Sequence, residues 1–227
     1  MGIRERQERD RAAVRQAILA AARDLFVTEG FSNVSMRKIA ERIEYSPAAI
    51  YSYFPSKDDI FFALAEEGFR LLADLGAAAA RTSPDPLARL RQSLWAFYEF
   101  SKTHPEYFEL MFLDRSVPSL NQDFQRFEFF QATTALAEGD IRTCMDAGLF
   151  SAGLDPAAAL HVLWAAMLGA AAINRATRLA PGENPDALAH DVLETILAGF
   201  TTTFHTTFVA SDWPLTTPIA KAHEHAS

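Results

Sequence analysis

The run from Pro47 to Lys57, Pro-Ala-Ala-Ile-Tyr-Ser-Tyr-Phe-Pro-Ser-Lys, holds the densest chemistry in the chain. Phenolic and aliphatic hydroxyls and an ammonium group can all donate hydrogen bonds to phosphate oxygens. Pro47, Ala48 and Ala49 have side chains small enough to let a backbone approach base edges, and their methyl and methylene groups suit thymine methyls. This is the chemistry of nucleic-acid contact. Reaction chemistry is not visible. The sequence has no nucleophile elbow, no Gly-rich phosphate loop and no HExxH pair. Cys144 and the histidines form no recognisable set, and His223-Glu224-His225 lies in a polar terminal stretch. Neither an enzyme, a metal site nor a cofactor is expected.

To present such a run, the chain needs short rigid elements, and its punctuation supplies them. Ser46-Pro47, Asp85-Pro86, His104-Pro105, Asp155-Pro156 and Asn184-Pro185 each pair a polar residue with a proline. Proline is tolerated at the first helical position, where its missing N–H would be an orphan anyway, and Ser, Asp or Asn before it accepts from a free first-turn N–H. His104 is a weak cap that Thr103 would assist; Ser35 and Ser56 are further caps. Asp58 and Asp59 suit the positive end of a helix dipole. These signals, with no strand-like alternation, predict an all-α protein of about nine helices: 11–29, 35–43, 47–54, 57–81, 86–103, 105–114, 120–148, 156–179 and 185–208. The predicted domains are a head over 1–56, a body over 57–210 that starts with a long connecting helix, and a loosely ordered tail over 211–227. Along the chain, the Thr-Ser-Pro-Asp-Pro linker at 82–86 reads as the best mark of a domain boundary.

The first helix carries Ile18, Ala21, Ala22, Leu25 and Phe26 at three-and-four spacing. Its expected partners are Ile39, Ala40 and Ile43 on the second helix and Ile50 and Phe54 on the third. Two short helices joined by Glu44, Tyr45 and Ser46 have no room for an antiparallel hairpin. They must cross steeply, as in a helix-turn-helix, and the second can enter a major groove.

These residues carry a resemblance. "AILAAARDLFVTEGF" at 17–31, "SMRKIAERI" at 35–43 and "YSPAAIYSYFPSKDDIFFAL" at 45–64 are similar to the DNA-binding region of the TetR family of regulators. The resemblance implies that Arg37 reads a base or groove, that Pro47, Ala48 and Ala49 lie near bases beside Ser46 in the turn, and that Tyr51, Ser52, Tyr53 and Lys57 clamp phosphates. It further implies a homodimer on a palindromic operator in double-stranded DNA, ligand-responsive, and a repressor by expectation. One departure stands out. Where the family commonly has Ala-Gly-Val-Ser, this chain has Ile43-Glu44-Tyr45-Ser46. The glycine position often needs positive φ, at a cost of roughly 1 kcal/mol for another residue. Tyr45 is expected to bury its ring and keep its hydroxyl at the surface. The Arg-rich start (Arg4, Arg6, Arg9, Arg11) reads equally well as a phosphate-following arm or a solvated helix extension.

The body is dense in aromatics. Most must be core, but pocket walls use the same residue types. By the resemblance, a cavity for a small hydrophobic effector is expected among Phe97, Phe100, Phe108, Met111, Phe112, Phe127, Phe130, His161, Trp164 and Met167, with His104, Glu128, Gln131 and Asn174 as further polar candidates. The helices at 156–179 and 185–208 are apolar around much of their circumference. One face would serve the subunit and the other a partner, with Ala165, Ala166, Gly169, Ala170 and Ala172 permitting close approach.

The bulk numbers agree. The net charge of −8 is unevenly spread: residues 1–57 hold 10 Lys/Arg against 7 Asp/Glu, and the rest hold 11 against 22. A basic head on an acidic body fits DNA binding. A single cysteine excludes an intrachain disulfide framework, and the charged N-terminus is no secretory signal, so a cytoplasmic location is expected. The Ala-rich stretch 156–175 reads as a core or interface helix rather than a membrane span.

Overall fold

The computed structural model describes residues 2–114 and 128–201, without the side chains of 3 and 128–133. All regular structure among the described residues is helical. The elements are α1 (Ile3–Glu29), α2 (Met36–Arg42), α3 (Pro47–Tyr51), α4 (Lys57–Ala80), α5 (Pro86–Thr103), α6 (Pro105–Phe108), α7 (Glu128–Asp146), α8 (Pro156–Arg175) and α9 (Pro185–Gly199). A 3₁₀ turn, Phe31–Asn33, follows α1, and a π turn, Glu109–Leu113, follows α6.

The cap signals act as local chemistry requires. The Ser35, Ser46 and Ser56 hydroxyls each accept from the backbone N–H three residues on, at 3.2 Å. Asp85 accepts from Ala88 N–H at 3.1 Å, Asp155 from Ala157 at 3.0 Å, and Asn184 from Asp186 at 2.9 Å. Each such cap is worth about 0.5–2 kcal/mol. The cap expected from His104 does not form. Its ring stacks on Phe100 at 5.1 Å and meets the Thr103 hydroxyl at 2.9 Å, and that hydroxyl donates back to Glu99 O rather than serving α6.

Several boundaries differ from expectation: α3 ends at Tyr51, α8 at Arg175 and α9 at Gly199, short of the expected 54, 179 and 208. Helix α1 starts at Ile3, not near residue 11, because Gly2 N–H donates to Glu5 Oε2 at 2.9 Å and the Arg/Glu run continues as helix. The Arg-rich start is therefore helical and exposed. The 105–114 segment keeps only one α turn before widening into the π turn. The 82–86 segment does not separate domains. It folds α5 back along α4, and those two helices share the most extensive packing among the described residues. Proline breaks a helix equally at a linker and at a tight helical hairpin. The tail expected over 211–227 lies outside the described residues.

In the head, Ile18, Ala22 and Phe26 of α1 bury against Ile39, Ala40, Ile50 and Phe54, with Ile43 half-buried at the edge. Phe31 joins this cluster to the body: its ring lies 5.1 Å from Phe26 and 5.4 Å from Phe61 of α4. In the body, α4, α5, α7 and α8 pack around one core, and α9 lies along α8. Helix α8 is long and apolar enough by composition to cross a membrane, yet it packs on α5, α7 and α9. Ala165 and Ile173 on α8 are exposed, and Gly169 and Ala172 are half-exposed.

Candidate nucleic-acid interface and apolar cavity

The turn between α2 and α3 is a Schellman closure. Tyr45 N–H reaches Ala40 O at 2.9 Å, and Glu44 N–H reaches Glu41 O at 3.3 Å. Its left-handed residue is Glu44, at φ +59°, where glycine is the usual occupant. The same closure after α7 does use glycine, Gly148 at φ +72°. Tyr45 does not bury its ring as expected. It is 44% exposed, since the turn lifts it away from the three-helix core.

Helix α3 therefore begins on an open surface. Ser46, Pro47 and Ala48 are exposed, Ala49 is half-buried and Ile50 anchors the helix from beneath. Tyr51 is 53% exposed, an orientation that the core does not require of so large a ring. The Ser52 hydroxyl donates to Ala49 O at 2.6 Å, leaving its lone pairs outward. Tyr53 is half-buried, with the Arg11 guanidinium 5.7 Å from its ring, and Arg15 sits 5.1 Å from the Phe54 ring. The structure thus brings two arginines of α1 to the foot of α3. The sequence reading missed Arg15; its signal was position, four residues after Arg11 and so on the same helical face.

Arg37 is exposed on α2, with Nε 2.8 Å from Glu41 Oε1. Any anion it meets competes with that carboxylate. Lys57 is tied more firmly. Its Nζ donates to Phe31 O at 2.7 Å and lies 4.0 Å from the Phe31 ring centroid. Lys57 thereby fastens α4 to the end of α1, while Lys38 pairs with Glu29 nearby.

A cavity of about 150 Å³ opens in the body. Its floor is a stripe on α4: Phe69, Leu72, Ala73, Gly76, Ala77 and Ala80. That three-and-four spacing is one helix face. Leu90, Ser93, Leu94 and Phe97 of α5, Thr134, Leu136, Ala137 and Asp140 of α7, and Leu160, His161 and Trp164 of α8 complete it. Leu136, at 69% exposed, and His161 mark the mouth. His161 Nδ1 lies 2.7 Å from Ala157 O. Asp140 is held by Arg89, whose Nε is 3.1 Å from Oδ1, and Arg89 also donates to Pro84 O at 2.6 Å.

Of the expected cavity residues, Phe97, His161 and Trp164 line it. Phe100, Phe108, Met111 and Met167 are buried core outside its walls. Phe112 stands behind the wall, its ring 5.3 Å from Phe97, 5.7 Å from Trp164 and 5.9 Å from Phe69. Phe127 and the side chains of Phe130, Glu128 and Gln131 lie outside the described residues. Cys144 is buried, and loss of solvent pushes its thiol up to about 11, so it stays protonated near neutrality.

Two family profiles match this chain: the bacterial regulatory proteins of the tetR family over residues 18–64, and the tetracyclin repressor-like C-terminal domain over 90–196. The transcriptional activator FasR of Mycolicibacterium smegmatis is 31% identical over 98 residues, a match covering 43% of this chain and 45% of that protein. Among solved structures, a tetR-family regulatory protein from Rhodococcus superposes at TM-score 0.66 with 21% identity, covering 82% of this chain and 96% of that one. The regulator FadR from Bacillus subtilis in complex with stearoyl-CoA superposes at 0.69 with 18% identity, covering 81% and 98%. Likeness at these identities is a likeness of fold.

Proposed function

The chain belongs to the TetR family of bacterial regulatory proteins, and from that membership we propose a cytoplasmic homodimer that represses transcription by holding a palindromic operator until a small apolar effector releases it. DNA binding and regulation come with the family, whose members are not enzymes. The observation that carries the finer reading is the open start of α3, where capped backbone, small side chains and the outward Tyr51 lie together.

In this reading, Ser46, Pro47, Ala48 and Ala49 face base edges, while Tyr51 and Tyr53 meet phosphates and Ser52 joins them once its hydroxyl turns away from Ala49 O. Arg37 reaches the duplex once Glu41 yields it. Lys57 contributes charge at the rim. The half-exposed apolar faces of α8 and α9 meet those of a second copy, so that two heads enter successive major grooves. The cavity, with apolar walls and few polar groups, suits an apolar effector of acyl type, in line with the acyl-CoA held by the FadR fold relative. The effector acts only if it binds the DNA-free arrangement of the heads more tightly than the DNA-bound one.

Selection of bound sequences from random duplex DNA, repeated at several salt concentrations, tests this. An inverted repeat with steep salt dependence supports the dimeric reader; single half-sites bound equally well by interface mutants overturn it. Activation is a second reading, favoured by the activator FasR among the relatives. A reporter behind the recovered operator separates the two: expression falls with a repressor and rises with an activator.

A further inference from the structure

The shape of the cavity says more than its apolarity. The α4 stripe from Phe69 to Ala80 runs for about 16 Å at 1.5 Å per residue. Against that length, the volume of about 150 Å³ is small, and the cavity opens to solvent at Leu136 and His161. A long, thin void fits an unbranched chain better than a fused ring system. A methylene takes up roughly the space of a liquid water, about 30 Å³, and less in a close-packed interior. By that measure the cavity fills with about five to eight carbons. One end is shut by the rings of Phe69, Phe97 and Trp164, and Phe112 packs edge-on behind all three, so the wall has a second layer and does not simply swing aside. Near the middle, Gly76 leaves the floor flat. A Cβ placed there would meet no atom within 4 Å, so the missing side chain is open space rather than a packing requirement.

We propose that this cavity is a length gauge for a medium unbranched alkyl chain, with Trp164 and Phe69 as the stop and Gly76 as the residue that sets the free volume. The proposal rests on the apolar-effector reading and narrows it. Chains of the stearoyl kind, such as the FadR fold relative holds, extend beyond the mouth of this site, and their outer carbons remain in water. Each methylene that becomes buried tightens binding about fourfold, and a methylene that finds no room adds nothing.

The test is calorimetric titration of the full-length protein with straight-chain carboxylic acids of about four to sixteen carbons. Wild type is expected to gain about fourfold in affinity per carbon up to about eight carbons and to level or fall beyond. Gly76→Leu projects a side chain into open space on a helix that favours Leu over Gly, so it folds, and it should move the break down by about three carbons. Trp164→Ala should move it up by about the same number. An affinity that climbs without a break through the longest chains overturns the gauge alone. A break that stays put in folded Gly76→Leu does the same. No binding at any length overturns the apolar-effector reading, and the gauge with it.

Discussion

The Arg23 guanidinium touches the Tyr107 ring in two ways at once: Nη1 donates to the phenolic oxygen at 3.0 Å, and Cζ lies 5.2 Å from the ring centroid. Arg23 is on α1 in the head and Tyr107 is on α6 in the body, 84 residues apart. The next turn of chain carries Phe108 and Phe112, which pack on Phe97 of the cavity wall. One short element therefore holds the head on one side and the cavity on the other. Tyr107→Phe keeps the ring beneath the guanidinium and removes the hydroxyl, which accepts from Arg23 and also faces the Glu67 carboxylate. It should cost about 1 kcal/mol in urea unfolding and speed amide exchange in the second half of α1 by about fivefold. Unchanged exchange would mean that the bond does not hold α1.

Gly68 lets that element sit close to α4. A Cβ there would fall 2.4 Å from Met111 Sδ and 2.9 Å from Tyr107 Cδ1. The methionine can flex, but the buried tyrosine ring cannot. Gly68→Ala should destabilise by about 1–2 kcal/mol, although alanine favours the helix by up to about 1 kcal/mol. Thermal unfolding beside Gly76→Ala, which meets nothing, gives the internal control; equal melting points would disprove the close approach.

Glu44 occupies a conformation better suited to glycine and places a carboxylate next to α3. Glu44→Gly should raise stability by about 0.5–1 kcal/mol, the relief of the left-handed strain less the added freedom of the unfolded chain. Glu44→Gln should leave stability alone and tighten DNA binding by removing charge. Urea melts and operator titrations on both variants separate strain from electrostatics.

Lys57 has two duties that one substitution cannot divide. Lys57→Met keeps the apolar stem on the Phe31 ring, whereas Lys57→Ala loses both stem and charge. If the ammonium also meets phosphate, both variants should flatten the salt dependence of DNA binding by about one ion, and only the alanine variant should lose stability appreciably. A slope unchanged in both would confine Lys57 to fastening α4.

The tie between α5 and α9 should respond to acid. The Arg91 guanidinium, with Nε 2.5 Å from Glu194, holds that carboxyl below its ordinary value, and Lys102, with help from Tyr98, does the same for Asp186. A carboxyl lowered on folding stabilises above its unfolded value, and that contribution is lost as pH falls through the folded one. Stability from these ties should be complete at pH 7 and should decline below about pH 4. Glu194→Gln should make the acid limb of a pH–stability profile shallower.

How much of this was legible beforehand depended on how local the cause was. Ser46, Asp85, Asp155 and Asn184 could be assigned as caps because the cap bond spans only two or three residues. The head was legible for the same reason, down to the strained position at Glu44. Residues 82–86 misled because proline marks a helix end without saying where the next helix goes. The cavity was the hardest part. Phe97 and Phe100 share a helix and a chemistry, yet one lines the void and the other is core. Only the rotation of α5 against its neighbours decides, and that is a property of the assembled bundle. The floor of Gly76, Ala77 and Ala80 looked like unremarkable helix, since a gap leaves its mark in what the side chains do not fill.

That floor has an evolutionary side. In the proposed reading, the residues that set the room for an effector are Gly76, Ala77 and Ala80, on one face of α4 and well along that helix from Lys57, where it is fastened to the head. On that reading, single substitutions along this strip exchange one effector for another while the DNA sequence read by the head stays the same. A lineage carrying this architecture can rewire what it senses without relearning which genes it controls.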